Sequence, residues 1–179
     1  DTAGQAEAIY VLKQFIELAR LVGEEELDKY EKSLELISSY ARNKLYNSEK
    51  KLFVTTGDEY NIASQVWMVL AKVMSPEENK EIMTTMIQEM FPVKNIATPY
   101  MYHHIVEALF EGGLEEEAVQ LMKDYWGKMI DLGADTFWDD PDYSPYGSPI
   151  LNSYCHAWSC TPVYLIHKYV LKDFHEKCL

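Results

Sequence analysis

The chain has 179 residues, of which 47% are hydrophobic and 13% aromatic. This composition excludes an intrinsically disordered protein, because disordered chains have few aromatic residues and little apolar content. The length is sufficient for one domain with a substantial core. The 29 acidic and 16 basic residues give a formal net charge of -13, which repels phosphate backbones and anionic lipid headgroups. We therefore expect neither nucleic acid nor a membrane as a partner.

The chain contains three cysteines, Cys155, Cys160 and Cys178. An odd and small number of cysteines provides no disulfide framework, and the spacing of Cys155, His156 and Cys160 matches no common zinc pattern. Small buried thiols are therefore the favoured interpretation. We predict neither a metal site nor a cofactor.

Apolar residues recur at steps of three and four through most of the chain, which predicts helices. The first helix is expected to end at Gly23, because glycine readily ends a helix. A second helix spans residues 27–45. The polar, glycine-containing segment 47–61 predicts a loop with a short strand at 52–54. The predicted inward residues of the two helices are Ile9, Leu12, Ile16, Ala19, Leu27, Tyr30, Leu34, Ile37, Ala41 and Leu45.

A third helix is predicted over residues 62–74, and the fourth begins with a strong start signal. Ser75 can cap free amide groups, Pro76 suits the first helical position, and Glu78 lies where a capping box requires a glutamate. We expect this fourth helix to end before Pro92.

The fifth helix is predicted from Pro99 to the glycine pair at 112–113, and the sixth spans residues 115–132. A loop follows over 133–152. The seventh helix begins somewhere between residues 153 and 162 and reaches about residue 174. The sixth helix is expected to bury Ala118, Leu121, Met122, Tyr125 and Met129, and the helical tryptophans Trp67, Trp126 and Trp158 are expected in the core.

Seven helices with short connections predict an all-α protein of stacked helical hairpins. Their periodicity is compatible with a flat bundle, with a superhelical solenoid and with part of a closed α/α toroid. It does not select one of the three.

The loop 133–152 is the candidate functional segment, because loops above about 12 residues within a compact domain are often functional. Carboxylates can take a proton from water or accept hydrogen bonds from sugar hydroxyls, and aromatic rings offer flat apolar faces to a sugar. The alternative is that the aspartates cap turns and the aromatic residues close one end of the core. The loop contains Asp135, Phe137, Trp138, Asp139, Asp140, Asp142, Tyr143 and Tyr146.

His156 precedes or begins the last helix, where its imidazole could donate a hydrogen bond to a ligand hydroxyl. A purely structural histidine at a helix start is the competing interpretation. The other four histidines, His103, His104, His167 and His175, fall within predicted helices and are interpreted as structural.

Three segments resemble a known family: 125–129 (YWGKM), 133–139 (GADTFWD) and 153–159 (SYCHAWS), followed by Pro162. They are similar to the C-terminal part of the catalytic domain in bacterial α-L-rhamnosidases of glycoside hydrolase family 78, and the helical segment 99–110 fits as well. The resemblance implies stacked hairpins forming half of an (α/α)6 toroid. It also implies that residues 1–179 are the C-terminal portion of a six-hairpin domain, because a full toroid needs twelve main helices.

In that family the first motif reads approximately Gly-Ala-Thr-Thr-x-Trp-Glu, and its glutamate is the general base that activates water. The resemblance implies Asp139 as catalytic base, His156 as a sugar-contacting residue and Trp138 as a wall of the pocket. The chain departs from the motif at Asp135 and at Asp139. An aspartate is one methylene shorter than a glutamate, and a misplacement of about 1 Å can lower a rate about 100-fold. The substrate then lies deeper, Asp140 takes the role, or activity is lost.

The resemblance therefore predicts a fragment of an inverting glycoside hydrolase that cleaves terminal deoxysugars from glycans or glycosides. Its partners would be a carbohydrate substrate and the missing N-terminal half of the domain, which carries the general acid. We expect little hydrolysis by the isolated chain, and homo-oligomers through exposed helix faces. A non-catalytic helical-repeat module that binds protein or sugar is the alternative. The compartment stays open among cytoplasm, periplasm and the outside of a bacterial cell.

Overall fold

A computed structural model describes residues 1–94, 96, 98–140 and 153–172. These residues are mostly helical, which confirms the all-α prediction. The chain divides into two compact units, one formed by Asp1–Lys94 with Glu111–Gly113, the other by Asn95–Phe110 with Leu114–Leu179. Within the described part of the chain, none of the helices has the length and apolar character needed to cross a bilayer.

The first unit consists of four helices and a small hairpin. Helix α3 lies at its centre, because it packs against both α1 and α4 and is buried along nearly its whole length. The hairpin pairs its two short strands antiparallel and lies where a strand at 52–54 was predicted. The elements are α1 (Thr2–Leu21), α2 (Asp28–Tyr40), β1 (Tyr46–Asn47), β2 (Leu52–Phe53), α3 (Ile62–Leu70) and α4 (Pro76–Met90).

The start of α4 follows the predicted capping box. The Ser75 hydroxyl accepts a hydrogen bond from the Glu78 amide, and the Glu78 carboxylate accepts one from the Ser75 amide. Pro76 occupies the first turn, where backbone N–H groups have no partner within the helix, so the missing N–H of proline costs no hydrogen bond. The helix ends at Met90, before Pro92, as predicted.

Helix α3 ends at Leu70, four residues earlier than predicted. Lys72 adopts a positive φ of 50°, which breaks the helical path. The Lys13 ammonium donates hydrogen bonds to the carbonyl oxygens of Ala71 and Lys72. A side chain from α1 thus satisfies carbonyls that a longer helix would have satisfied internally.

The second unit is built from α5 (Pro99–Glu111), α6 (Glu115–Met122) and the segments that follow them. Helix α6 continues through a π-helical turn, Lys123–Gly127, into α7 (Lys128–Asp131), so the predicted sixth helix is one nearly continuous rod. All five of its predicted inward residues are buried.

The last helical region begins with a 3-10 turn, Ala157–Cys160, followed by α8 (Thr161–Leu165) and a π-helical turn, Ile166–Leu171. The predicted end of this helix near residue 174 lies outside the described residues, as do Cys178 and loop residues 141–152.

Two expectations for this last region were wrong. Trp158 is 56% exposed rather than part of the core, whereas Trp67 and Trp126 are buried as predicted. Cys155 and Cys160 are exposed free thiols rather than buried ones. Trp158 and Cys160 are exposed because the short 3-10 turn that carries them buries Ser159 instead, and Cys155 lies outside this turn.

Candidate active site

The candidate site forms where the two flanks of the long loop meet in the second unit. The Asp139 amide donates a hydrogen bond to the Ser153 carbonyl oxygen at 2.8 Å, and the His156 amide donates one to the Phe137 carbonyl oxygen at 2.7 Å. The Thr136 hydroxyl donates to the Tyr154 carbonyl oxygen. These bonds place residues 136–139 beside residues 153–156, although the two stretches are far apart in sequence.

Asp139 and His156, both predicted from sequence, come together in this pairing. The distance from His156 Nε2 to Asp139 Oδ1 is 3.6 Å, and each side chain is 30% exposed. At this distance the two groups are too far apart for a direct hydrogen bond, but a water molecule or a ligand hydroxyl placed beside both can contact the carboxylate and the imidazole together. The pair therefore has the chemistry of a polar binding site that solvent reaches.

Several aromatic rings lie on the same two flanks of the loop as this pair. Trp138 is half-buried and packs edge-on against Tyr154, with 5.2 Å between ring centroids. Trp158 packs edge-on against the His156 imidazole at 5.6 Å and also contacts Tyr100 of α5 at 5.3 Å. Trp138 was predicted as a wall of the pocket, Trp158 was predicted in the core, and no role was predicted for Tyr100. The Pro99-Tyr100 pair at a helix start was a weak signal for an exposed ring.

The main chain of the site is fixed by two neighbouring aromatic residues of the π-helical turn. Tyr125 Oη donates a hydrogen bond to the Asp139 carbonyl oxygen at 3.0 Å. The Trp126 indole N–H donates to both the carbonyl and the hydroxyl oxygen of Ser159, at 3.0 and 2.9 Å. The predicted inward position of Tyr125 therefore carries a polar contact that its periodicity could not reveal.

A second polar cluster of this unit is centred on Glu107 of α5. Its Oε1 accepts hydrogen bonds from the Lys168 ammonium at 2.9 Å and from the hydroxyls of Tyr164 and Tyr169 at 3.2 Å each. Its Oε2 lies 3.4 Å from His103 Nε2. His103, which was predicted to be a structural histidine, is therefore in contact with the Glu107 carboxylate.

These partners control the ionisation of the cluster. Burial by itself would raise the pKa of Glu107, but the hydrogen bonds and charges of His103 and Lys168 outweigh it and lower that pKa to about 2. Burial would lower the pKa of Lys168, yet Tyr164 and Glu107 raise it above its ordinary value. Glu107 is therefore a carboxylate held charged in a largely buried place.

The donor atoms of His103, His104 and Glu107 lie within 4.8 Å of one another, a grouping that resembles a metal site. However, the Lys168 ammonium is already bonded to Glu107 Oε1, while Oε2 faces His103, so the cluster already holds a cation that repels a metal ion. Burial and the neighbouring His103 lower the pKa of His104 to about 4. The ammonium makes this cluster a poor fit for a metal and a good fit for an internal ion pair.

Comparison with known proteins identifies the family. The sequence model of the bacterial alpha-L-rhamnosidase 6 hairpin glycosidase domain matches residues 2–170. The chain belongs to this family. Its fold is accordingly that of stacked helical hairpins from a six-hairpin glycosidase domain, as the sequence motifs indicated. The search of curated proteins finds no match.

Two solved structures are similar to the chain. A rhamnosidase from Klebsiella oxytoca with rhamnose bound shares 40% sequence identity and superposes with a TM-score of 0.84 over 94% of this chain. A GH78 family rhamnosidase of Bacillus sp. GL1, at 24% identity and a TM-score of 0.70 over 88% of this chain, shares the fold. The chain spans 34% of the first protein and 18% of the second.

Proposed function

We propose that this chain supplies the water-activating side of an inverting, α-L-rhamnosidase-like glycosidase site, with Asp139 as the general base. The observation that carries the proposal is the approach of Asp139 to His156 at a solvent-accessible place. The family match and the relative with rhamnose bound support a terminal deoxysugar such as rhamnose as the substrate.

Each side chain has a distinct role in this proposal. The Asp139 carboxylate removes a proton from a water molecule as that water attacks the anomeric carbon. His156 Nε2 forms a hydrogen bond with a sugar hydroxyl and orients the ring. Trp138, packed against Tyr154, forms an apolar wall beside the sugar.

The site needs a second carboxyl group to be complete. Inverting glycosidases hold their acid and base roughly 6.5–9.5 Å apart, which leaves room for the attacking water. Since the chain spans 34% of the Klebsiella oxytoca rhamnosidase, we propose that residues 1–179 are the C-terminal portion of the domain and that the general acid lies in the remainder. The isolated chain should therefore show little or no turnover.

The decisive experiment replaces Asp139 by asparagine in the full-length protein that contains this chain. With an aryl rhamnoside as substrate, Asp139→Asn should lower kcat by about 100-fold to 10,000-fold, because a positioned general base contributes that much. The matched control is Asp140→Asn, the neighbouring carboxylate, which should retain most of the rate.

The two results separate the alternatives. A near-wild-type rate for Asp139→Asn together with a large loss for Asp140→Asn would move the base to Asp140. Rhamnose binding by a full-length protein that has no turnover would indicate a domain that binds sugar without cleaving it. That outcome would follow if the aspartate, shorter than the family's glutamate, no longer reaches the water.

A further inference from the structure

The π-helical turn Lys123–Gly127 presents two adjacent buried aromatic residues, Tyr125 and Trp126. Their rings lie nearly perpendicular, at 80° with 4.9 Å between centroids, so their polar atoms point to different parts of the site. Turns of this kind inside helices are frequent at functional sites. The turn can therefore contact both flanks of the loop from a single place.

Tyr125 holds the flank that carries Asp139. Its hydroxyl donates directly to the carbonyl oxygen of Asp139. The ring itself is stacked on Tyr102 of α5, with centroids 3.8 Å apart and planes inclined by 19°. With one face on Tyr102 and Trp126 beside it, the Tyr125 ring has little freedom, so its hydroxyl is a fixed reference point for the Asp139 main chain.

Trp126 holds the flank that carries His156, through one intermediate residue. Its indole N–H donates to Ser159, which is fully buried. The Ser159 amide in turn donates to the His156 carbonyl oxygen at 2.9 Å. Trp126, Ser159 and His156 thus form a continuous chain of hydrogen bonds that ends at the backbone of the histidine.

We propose that Tyr125 and Trp126 are positioning residues, through which one helical turn sets the separation of Asp139 and His156. Tyr125 governs the placement of the base, and Trp126 governs the placement of the sugar-contacting imidazole. This inference rests on the proposed function, but its structural part can be tested without any turnover.

The two residues predict different kinetic defects in the full-length protein. Tyr125→Phe keeps the ring and removes the hydroxyl, so kcat should fall about 10-fold to 100-fold with little change in KM, since a misplacement of about 1 Å costs about 100-fold. Trp126→Phe removes the indole N–H with both of its bonds to Ser159, and it should chiefly raise KM, by about 5-fold, because the displaced imidazole loses its hydrogen bond to the sugar. If Trp126→Phe fails to fold, Ser159→Ala removes one of its two bonds and should raise KM about 2-fold to 3-fold.

A double-mutant cycle separates positioning from general destabilisation. In an Asp139→Asn background, Tyr125→Phe should produce no further loss of kcat, because its effect acts through that carboxylate. Tyr169→Phe is the matched control, since it also removes a tyrosine hydroxyl from this unit. That hydroxyl contacts Glu107 and not the main chain of Asp139. Its kcat and KM should equal those of the wild type.

Hydrogen exchange measured by mass spectrometry supplies the structural readout. Tyr125→Phe should accelerate exchange of the Asp139 and His156 amides at least 10-fold, whereas Tyr169→Phe should leave both unchanged. Unchanged kinetics in Tyr125→Phe, or losses that add to those of Asp139→Asn, would overturn the positioning role. Full activity of Asp139→Asn would overturn the proposed function instead. In that case hydrogen exchange alone would test the positioning role of Tyr125, and unchanged exchange rates in Tyr125→Phe would refute it.

Discussion

Glu107 illustrates how a single residue can be charged in a place that is mostly closed to water. Its side chain is 10% exposed, yet Lys168, His103 and two tyrosine hydroxyls surround the carboxylate. Removing the carboxylate is destabilising, because the Lys168 ammonium, whose side chain is 28% exposed, and the hydrogen-bond donors around Glu107 lose their common partner. The cluster therefore joins α5 to the last helical region through electrostatics as well as packing.

We expect Glu107→Gln to lower the free energy of unfolding at pH 7 by about 3 kcal/mol. Glu115→Gln is the matched control, because its ion pair with Lys172, at 3.9 Å, is exposed on both sides, and its effect should stay within about 0.5 kcal/mol. Urea unfolding followed by circular dichroism measures both. Equal effects of the two variants would contradict a stabilising role for the buried cluster.

The same residue makes stability depend on pH. The pKa of Glu107 falls from 4.5 to about 2 on folding, so its contribution is complete above pH 4.5 and is lost as pH drops toward 2. His104 acts in the same direction, because its pKa falls from 6.5 to about 4 on folding and the unfolded chain takes up the proton first. The wild type should thus lose stability steadily below pH 6.5, and Glu107→Gln should flatten the curve between pH 4.5 and 2.

At the scale of elements, helix α3 shows how one polar residue joins a helix to a strand. Gln65 is fully buried within α3, between Ser64 and Val66, which are buried as well. Its amide oxygen accepts from the Phe53 amide at 2.7 Å, and its amide nitrogen donates to the Phe53 carbonyl oxygen at 2.8 Å. Because β2 has few strand partners, the Gln65 side chain forms the hydrogen bonds that a second neighbouring strand would otherwise form with Phe53.

Gln65→Met should lower the free energy of unfolding by about 3 kcal/mol, because it leaves the Phe53 N–H and C=O buried without partners, at about 1–3 kcal/mol each. The matched control is Gln120→Met on α6, where the glutamine is exposed and bonds only Asp124 among the contacts seen. That change should stay within about 0.5 kcal/mol. Thermal unfolding monitored by calorimetry compares the two, and similar midpoints would refute the bridging role of Gln65.

At the scale of the whole molecule, α1 carries a continuous exposed apolar stripe. Val11, Phe15, Leu18 and Leu21 are all exposed and recur at steps of three and four, which places them on one face. The opposite face of α1 is buried at Ile9 and Ile16, in the core. Monomeric proteins rarely expose apolar patches of this kind without a partner.

We therefore expect the 179-residue chain to self-associate at micromolar concentration when it is prepared alone. Light scattering should report a mass above the 20.8 kDa of one chain. The substitution Leu18→Glu should shift the mass toward the monomer, because it places a charge in the stripe. Gln88→Glu, which adds the same charge at an exposed position of α4, should leave association unchanged. A monomeric wild type would refute this expectation.

The sequence alone determined the all-α class of this protein, the capping box of α4 and the family to which the chain belongs. These features depend on patterns between residues close together in the chain. The helices follow from the spacing of apolar side chains, and the Ser75–Glu78 capping box follows from hydrogen bonds within one turn. The inward residues of α6 followed from the same rule, since one face of a helix is set by its 3.6-residue repeat.

Only the tertiary structure decided which polar groups meet. The 3.6 Å approach of Asp139 to His156, the bonds from Tyr125 and Trp126, and the ring of partners around Glu107 all join residues distant in the chain. Periodicity cannot predict such contacts, because a buried tyrosine and a hydrogen-bonding tyrosine occupy the same positions in a helical pattern. The exposure of Trp158 also depends on a contact between distant residues. The 3-10 turn that carries Trp158 turns Ser159 inward, where Ser159 accepts a hydrogen bond from Trp126.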